Sequence, residues 1–127
     1  MVKILLVDDD HDVRRSFGRI LMEDGYRVES YSDGLSAADA FGKGNFDLVI
    51  TDIQLPGMHG IDLIYHIREI DPEILVIAIS GGDEDDFITL TKDLQTASKE
   101  GANLVIPKPC DEDYLKFKVM ELLETKP

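Results

Sequence analysis

Five short strand-like runs punctuate this chain: Ile4–Val7, the more polar Val28–Tyr31, Leu48–Ile50, Ile74–Ile79 and Leu104–Ile106. Most are apolar at successive positions rather than at alternate ones. A strand of that kind must be covered on both faces, because a one-faced sheet leaves every second residue in water. The cover is supplied by the segments between the runs, whose apolar residues recur at helical spacing. Val13, Phe17, Ile20 and Leu21 form one such stripe, and Leu35, Ala38 and Phe41 a second. Ile61, Ile64 and Ile67 form the third. Phe87, Leu90, Leu94 and Ala97 form the fourth, and Leu115, Val119, Leu122 and Leu123 the last.

The punctuation agrees with this division. Asp10 stands where a helix cap belongs, Gly25 where that helix stops, and Asp33-Gly34 at the next turn. Gly42 and Gly44 end the second helix, Asp71-Pro72 closes the third, Gly81-Gly82 breaks the fourth strand and Gly101 ends the fourth helix. The stretch Leu55-Pro56-Gly57-Met58-His59-Gly60 reads as a loop throughout. The more polar Val28–Tyr31 run reads as an edge strand. Five βα units in succession define an α/β fold with a parallel sheet between two helical layers. Right-handed crossovers with one reversal of direction give a doubly wound, flavodoxin-like (βα)5 fold with strand order 2-1-3-4-5.

The 127 residues fit a single domain spanning 1–127, with no output domain in the chain, and 43% hydrophobic content is enough to fill its core. Acidic side chains number 26 against 13 basic ones, a net charge of −13. That balance argues against direct nucleic-acid binding, which draws its affinity from Lys and Arg on phosphates, and against anionic membrane surfaces. One cysteine, Cys110, excludes an internal disulfide and a cysteine-based zinc site. No apolar run nears the roughly 18 residues of a membrane span. The first seven residues run straight into three aspartates, unlike a signal peptide. A reducing, cytoplasmic setting is expected.

Ligands of open α/β sheets bind beyond the carboxyl ends of the strands, where strand order reverses. Asp8, Asp9 and Asp10 follow the first run. Thr51 and Asp52 follow the third, Ser80 the fourth, and Pro107-Lys108-Pro109 the fifth. The proposed order brings carboxylates, a hydroxyl and an ammonium to one edge. Clustered carboxylates repel, and a hard dication such as Mg2+ relieves the conflict with oxygen ligands. A carboxylate can form an acyl phosphate, with a lysine and a hydroxyl donor meeting the phosphoryl oxygens.

Four motifs in order, Val7-Asp8-Asp9-Asp10, Thr51-Asp52-Ile53-Gln54-Leu55-Pro56-Gly57-Met58-His59-Gly60, Ile79-Ser80 and Lys108-Pro109, resemble the receiver domains of bacterial two-component response regulators over essentially the whole chain. The resemblance implies a phosphorylation-controlled switch, which catalyses only its own phosphorylation and dephosphorylation. Asp52 would accept a phosphoryl group from a phosphohistidine of a sensor histidine kinase or histidine phosphotransfer protein. Asp9, Asp52 and the Gln54 main-chain carbonyl would ligate Mg2+, with Asp8 acting mainly through a metal-bound water. Ser80 and Lys108 would contact the phosphoryl group, and the Lys108-Pro109 bond would be cis. The surface formed by the fourth helix, fifth strand and fifth helix would control a partner or output domain, and is a family route to homodimers.

The chain departs from the pattern at four places. Val105 stands where the family usually has an aromatic, and a valine cannot report by ring rotation. His59 stands where the family often has Asp or another polar residue, and Cys110 replaces a frequent Phe. The interval from Ser80 to Lys108 is several residues longer than expected, with the excess in Gly81–Asp86 or the fourth helix. Asp83, Glu84, Asp85 and Asp86 read as acids at a helix start. Gln54 and Gly82 are expected to tune phosphate loss. His11, His59 and His66 read as exposed residues without metal-ligand spacing. Two other readings compete. An Mg2+ phosphatase or phosphotransferase of the haloacid-dehalogenase type uses an Asp nucleophile but needs a second Asp two residues on, where Gln54 stands. A non-phosphorylated pseudo-receiver would not need Asp52, Lys108 and the acid pair.

Overall fold

The computed structural model describes residues 1–80 and 101–125. The expected fourth helix, the Gly81-Gly82 break, the acids at 83–86 and the extra length before Lys108 lie outside the described residues. Elements run in the order β1 (Lys3–Val7), α1 (His11–Glu23), β2 (Arg27–Tyr31), α2 (Gly34–Lys43), β3 (Leu48–Asp52), α3 (Gly60–Ile70), β4 (Leu75–Ser80), β5 (Leu104–Pro107) and a C-terminal helix, α4 (Glu112–Glu124). The strands form one parallel sheet in the order β2-β1-β3-β4-β5. No helix among the described residues is long and apolar enough to cross a membrane.

β3 and β4 are buried at every position, as uninterrupted apolar runs require when helices cover both faces. One apolar layer joins Leu5, Val7, Val49, Val76 and Ala78 to Ala37, Ala38 and Phe41 of α2 and to Leu63, Ile64 and Ile67 of α3. The other joins Ile4, Leu6, Ile50, Ile77 and Ile79 to Phe17, Ile20 and Leu21 of α1 and to Leu115 and Val119 of α4. Strand side chains alternate between faces, so each run feeds both layers at once. β2, at the edge, is the most exposed strand.

Three local expectations need correction. Leu35 is not part of the buried stripe of α2: it is 60% exposed, and the helix packs through Ala37, Ala38 and Phe41 instead. Gly60 is not loop but the first residue of α3. His59 and His66 are half-buried rather than exposed, and the His59 Nδ1 accepts the Ile61 N–H at 3.2 Å, so it caps that helix. Asp10 caps α1 as expected, accepting from the N–H groups of Asp12 and Val13.

Candidate functional site

β1 ends at Val7, and the next residue, Asp8, is buried at 2% exposure. Its N–H donates to Tyr31 O of the edge strand at 3.1 Å. Its Oδ1 accepts the Asp10 N–H at 2.9 Å, and its carbonyl accepts from Arg14 Nη1 at 2.7 Å. The turn therefore has no freedom to swing the carboxylate outward. Asp9 is exposed.

β3 reaches two residues further than its apolar run. Thr51 and Asp52 stay in the ladder, opposite Ala78 and Ile79 of β4. Thr51 is buried, and its hydroxyl donates to Asp52 O at 2.9 Å. The Asp52 carboxylate is buried, with Oδ1 accepting the Gln54 N–H at 3.0 Å. Lys108, one residue past β5, donates from Nζ to Asp52 Oδ2 at 2.7 Å and pairs with Asp8 Oδ2 at 3.0 Å. The Lys108-Pro109 bond is cis. Ser80 closes β4, the strand beside β3; its carbonyl accepts the Lys108 N–H at 2.7 Å. The Ser80 side chain is fully buried, and its Oγ has no hydrogen-bond partner among the described residues.

A carboxylate oxygen from each of Asp8, Asp9 and Asp52 lies within 4.8 Å of the others. An all-oxygen set at that spacing suits a hard dication such as Mg2+. It ill suits a softer metal, since no imidazole or thiolate among the described residues belongs to the cluster. One ammonium shared by two buried carboxylates leaves negative charge unmatched, the second reason a cation fits there.

Burial is the largest influence on Asp8 and raises its carboxyl above the ordinary 3.8. The Asp10 amide and Lys108 pull it back, while the Asp52 charge pushes it up again. Since the folded state holds its proton more tightly than the unfolded chain, stability falls as pH rises through the folded value. Ionised Asp8 thus costs stability at neutral pH. Asp8→Asn is expected to raise the thermal midpoint at pH 7 in chelator by a few degrees and to flatten the gain that wild type shows on acidification. It should also shrink the rise in midpoint with millimolar Mg2+. A lower midpoint in the variant, with an unchanged Mg2+ response, would contradict this account of the cluster.

Two further residues shape the site, Arg14 outside the motifs and Gly60 at the end of the second. Arg14 holds the Asp8 carbonyl. Gly60 packs directly over the end of β3: its N–H donates to Ile53 O at 2.7 Å, and a Cβ there would overlap the Asp52 carbonyl oxygen and the Ile53 backbone. Val105 is half-buried and packs on the α2–α3 layer. Cys110 is half-buried, and burial pushes its thiol up, away from reactivity. Beside the site a groove of about 420 Å³ opens between α1 and the start of α4, lined by Val13, Phe17, Lys108, Pro109 and Cys110 among others.

A doubly wound sheet that gathers three aspartates and a lysine at its switch point carries its charged groups where ligands of open α/β folds bind. Comparison with known proteins places the chain in a family. A family model described as the response regulator receiver domain matches residues 4–120. The chain is 34% identical over 124 residues to sporulation initiation phosphotransferase F of Bacillus subtilis, covering 98% of this chain and 95% of that protein. It is 33% identical to chemotaxis protein CheY-3 of Vibrio cholerae, covering 97% and 92% respectively. Among solved structures, a CheY-like response regulator receiver domain protein from Methanospirillum hungatei superposes with a TM-score of 0.89 at 27% identity, covering 98% of this chain and 95% of that one. The chain belongs to the response regulator receiver domain family of two-component systems.

Proposed function

We propose that the domain is a phosphorylation-controlled switch in which Asp52 takes a phosphoryl group from a phosphohistidine on a sensor histidine kinase or histidine phosphotransfer protein. The observation that carries this reading is the buried Asp52 carboxylate, met by the Lys108 ammonium at 2.7 Å where the sheet reverses direction. A carboxylate oxygen of Asp52 forms the new O–P bond as the N–P bond to the donor imidazole breaks. The electron pair leaves on the imidazole nitrogen, which takes up a proton from solvent. Lys108 meets charge on the phosphoryl oxygens, and the Ser80 hydroxyl, buried and without a partner among the described residues, supplies a further donor. Mg2+ held by Asp8, Asp9, Asp52 and the Gln54 carbonyl would neutralise phosphoryl charge during transfer. The Gln54 N–H, bonded to Asp52 Oδ1, fixes the carboxylate plane for attack.

The groove between α1 and α4, whose walls combine Val13 and Phe17 with Asp10, Asp12 and Glu112, borders Lys108 and suits a docking phosphodonor. The output of this reading is a changed surface at β5, α4 and the helix expected over Phe87–Ala97, controlling a partner or output domain or pairing two copies. A cytoplasmic setting follows from the class of phosphodonor.

Incubation with acetyl phosphate and Mg2+, read by intact mass, tests the proposal. A single adduct of roughly 80 Da, one phosphoryl group, is expected on wild type and none on Asp52→Asn. Sustained phosphate release from a phosphate monoester, which a switch acting only on itself does not hydrolyse, would instead mark a true phosphatase. No adduct on wild type under any condition would leave a non-phosphorylated interaction module.

A further inference from the structure

β5 has four residues and one neighbouring strand, yet the ammonium that meets Asp52 stands one residue beyond its end. Its own side chains do little to set its register. Leu104, Val105 and Ile106 are all apolar, so a slip by one residue exchanges one apolar face for another. Pro107 has no N–H for the ladder. A one-residue slip would carry Lys108 about 3.3 Å along the strand, which the 2.7 Å contact with Asp52 does not tolerate.

The register is held at the far end of the strand. Asn103, just before β5, donates its N–H to Val76 O at 2.8 Å and accepts the Val76 N–H on Oδ1 at 2.9 Å. One residue thus closes both main-chain groups of Val76, a pairing that a shifted strand cannot make. The same Oδ1 accepts from Arg68 Nη2 at 2.7 Å. Arg68 Nε donates to Gly101 O at 3.0 Å, and Nη2 reaches the same oxygen. Arg68 Nη1 donates to Pro72 O at 3.0 Å and to Ile74 O. Gly101 makes room for this fork: its φ is +102°, and a Cβ there would stand 3.1 Å from Arg68 Nε.

Arg68 makes no ion pair among the described residues; its half-buried guanidinium is spent on neutral oxygens. What a rigid fork provides there is geometry. It joins the lead-in of β5 to the turn before β4 and to α3, whose other end is anchored by the Gly60 N–H on Ile53 O, one residue past Asp52. α3 is therefore a strut between the end of β3 and the beginning of β5.

We infer that Arg68 and Asn103 are positioning residues for the site: they set the register of β5 on β4 and so place the Lys108 ammonium on Asp52. The kinetic consequence rests on the phosphoacceptor reading of Asp52. Two readouts keep the two claims apart. In protein with isotopically labelled lysine, an ammonium held by two carboxylates gives a signal protected from water exchange, assigned to Lys108 by its absence from Lys108→Met. This needs no phosphorylation. The rate of phosphoryl incorporation from acetyl phosphate is the second readout.

Arg68→Met and Asn103→Ala, at temperatures where circular dichroism shows full helix content, are expected to lose the protected signal and to slow incorporation about 100-fold, the cost of a misplaced reacting group. Asn103→Asp keeps an oxygen for both Val76 and Arg68 and is expected to retain signal and rate. A folded Arg68→Met and Asn103→Ala that keep both would overturn the inference. If Arg68→Met does not fold, loss in Asn103→Ala and rescue in Asn103→Asp decide for it, and retention in Asn103→Ala decides against it. If wild type takes no phosphoryl group while the signal still follows this pattern, the positioning role stands and the phosphoacceptor reading falls.

Discussion

Gly60→Val should be among the most destabilising single substitutions in this chain, lowering stability by about 4 kcal/mol. A side chain at this position meets the Asp52 carbonyl oxygen and the Ile53 backbone, not the flexible end of another side chain. Nothing there can rotate aside, so α3 must lift from the end of β3. Lifting it breaks the Gly60 N–H bond to Ile53 O and uncovers Leu63, Ile64 and Ile67, all fully buried. With a urea slope of about 2 kcal/mol/M, the unfolding midpoint should fall by about 2 M. Gly18 supplies the control of opposite sign. It lies inside α1, and a Cβ built there meets nothing within 4 Å. Gly18→Ala should therefore stabilise by about 0.5–1 kcal/mol through helix propensity alone. Equal midpoints for the two variants would show that the close approach at Gly60 is not what holds α3 in place.

Gly60 also marks a limit of reading by residue type. Beside Pro56 and Gly57 it carries the signature of a loop, because glycine is a local breaker. That it starts a helix is decided by the backbone it must pass over, which is remote from any pattern in its neighbours. The sheet order was legible for the opposite reason: buried apolar runs and helical stripes are properties of whole segments and tolerate single errors. Leu35 is such an error. It falls on the 3.6-residue spacing with Ala38, but the sheet lies on the side of Ala37 and Phe41, and spacing alone does not say where a stripe is centred. The end of β3 was hidden by polarity, since Thr51 and Asp52 break the apolar run while continuing the ladder. Asp8, Asp9, Asp52, Ser80 and Lys108 were all visible as polar residues at strand ends. The pairing of Lys108 with Asp8 as well as Asp52 was not, because it depends on the turn after β1. Arg68 and Asn103 gave no signal at all: most of their partners are main-chain atoms, which every residue has.

Lys108→Met should weaken the fold and the phosphoryl-accepting step together, through one cause. The ammonium is the partner of two carboxylates, Asp8 and Asp52, whose side chains are 3% and 7% exposed. Burial by itself lowers the lysine's pKa, but the hydrogen bonds to Asp52 and Asp8, with their charges, outweigh it and hold the group above its ordinary 10.5. A folded-state value above the unfolded one gives stability that is complete below 10.5 and is lost as pH climbs through the folded value. Wild type should therefore lose stability in that alkaline window, and Lys108→Met should lack that part of the loss. At neutral pH the variant leaves two buried carboxylates without their cation. Removing one partner of a buried pair costs about 3–5 kcal/mol; with the lysine side chain 24% exposed, water recovers part of this, and about 2 kcal/mol is the expected loss. The missing stability should return as pH falls, because protonation of Asp8, whose carboxyl burial already holds above its ordinary value, then relieves the repulsion, and it should return with millimolar Mg2+ for the same electrostatic reason. Phosphoryl incorporation from acetyl phosphate should fall by about 100-fold or more, the cost of removing one group that meets transition-state charge. Thermal melts across pH, with and without Mg2+, and the incorporation rate measured on the same sample decide the matter. A variant as stable as wild type at neutral pH and unmoved by Mg2+ would mean that the lysine is not what balances these acids.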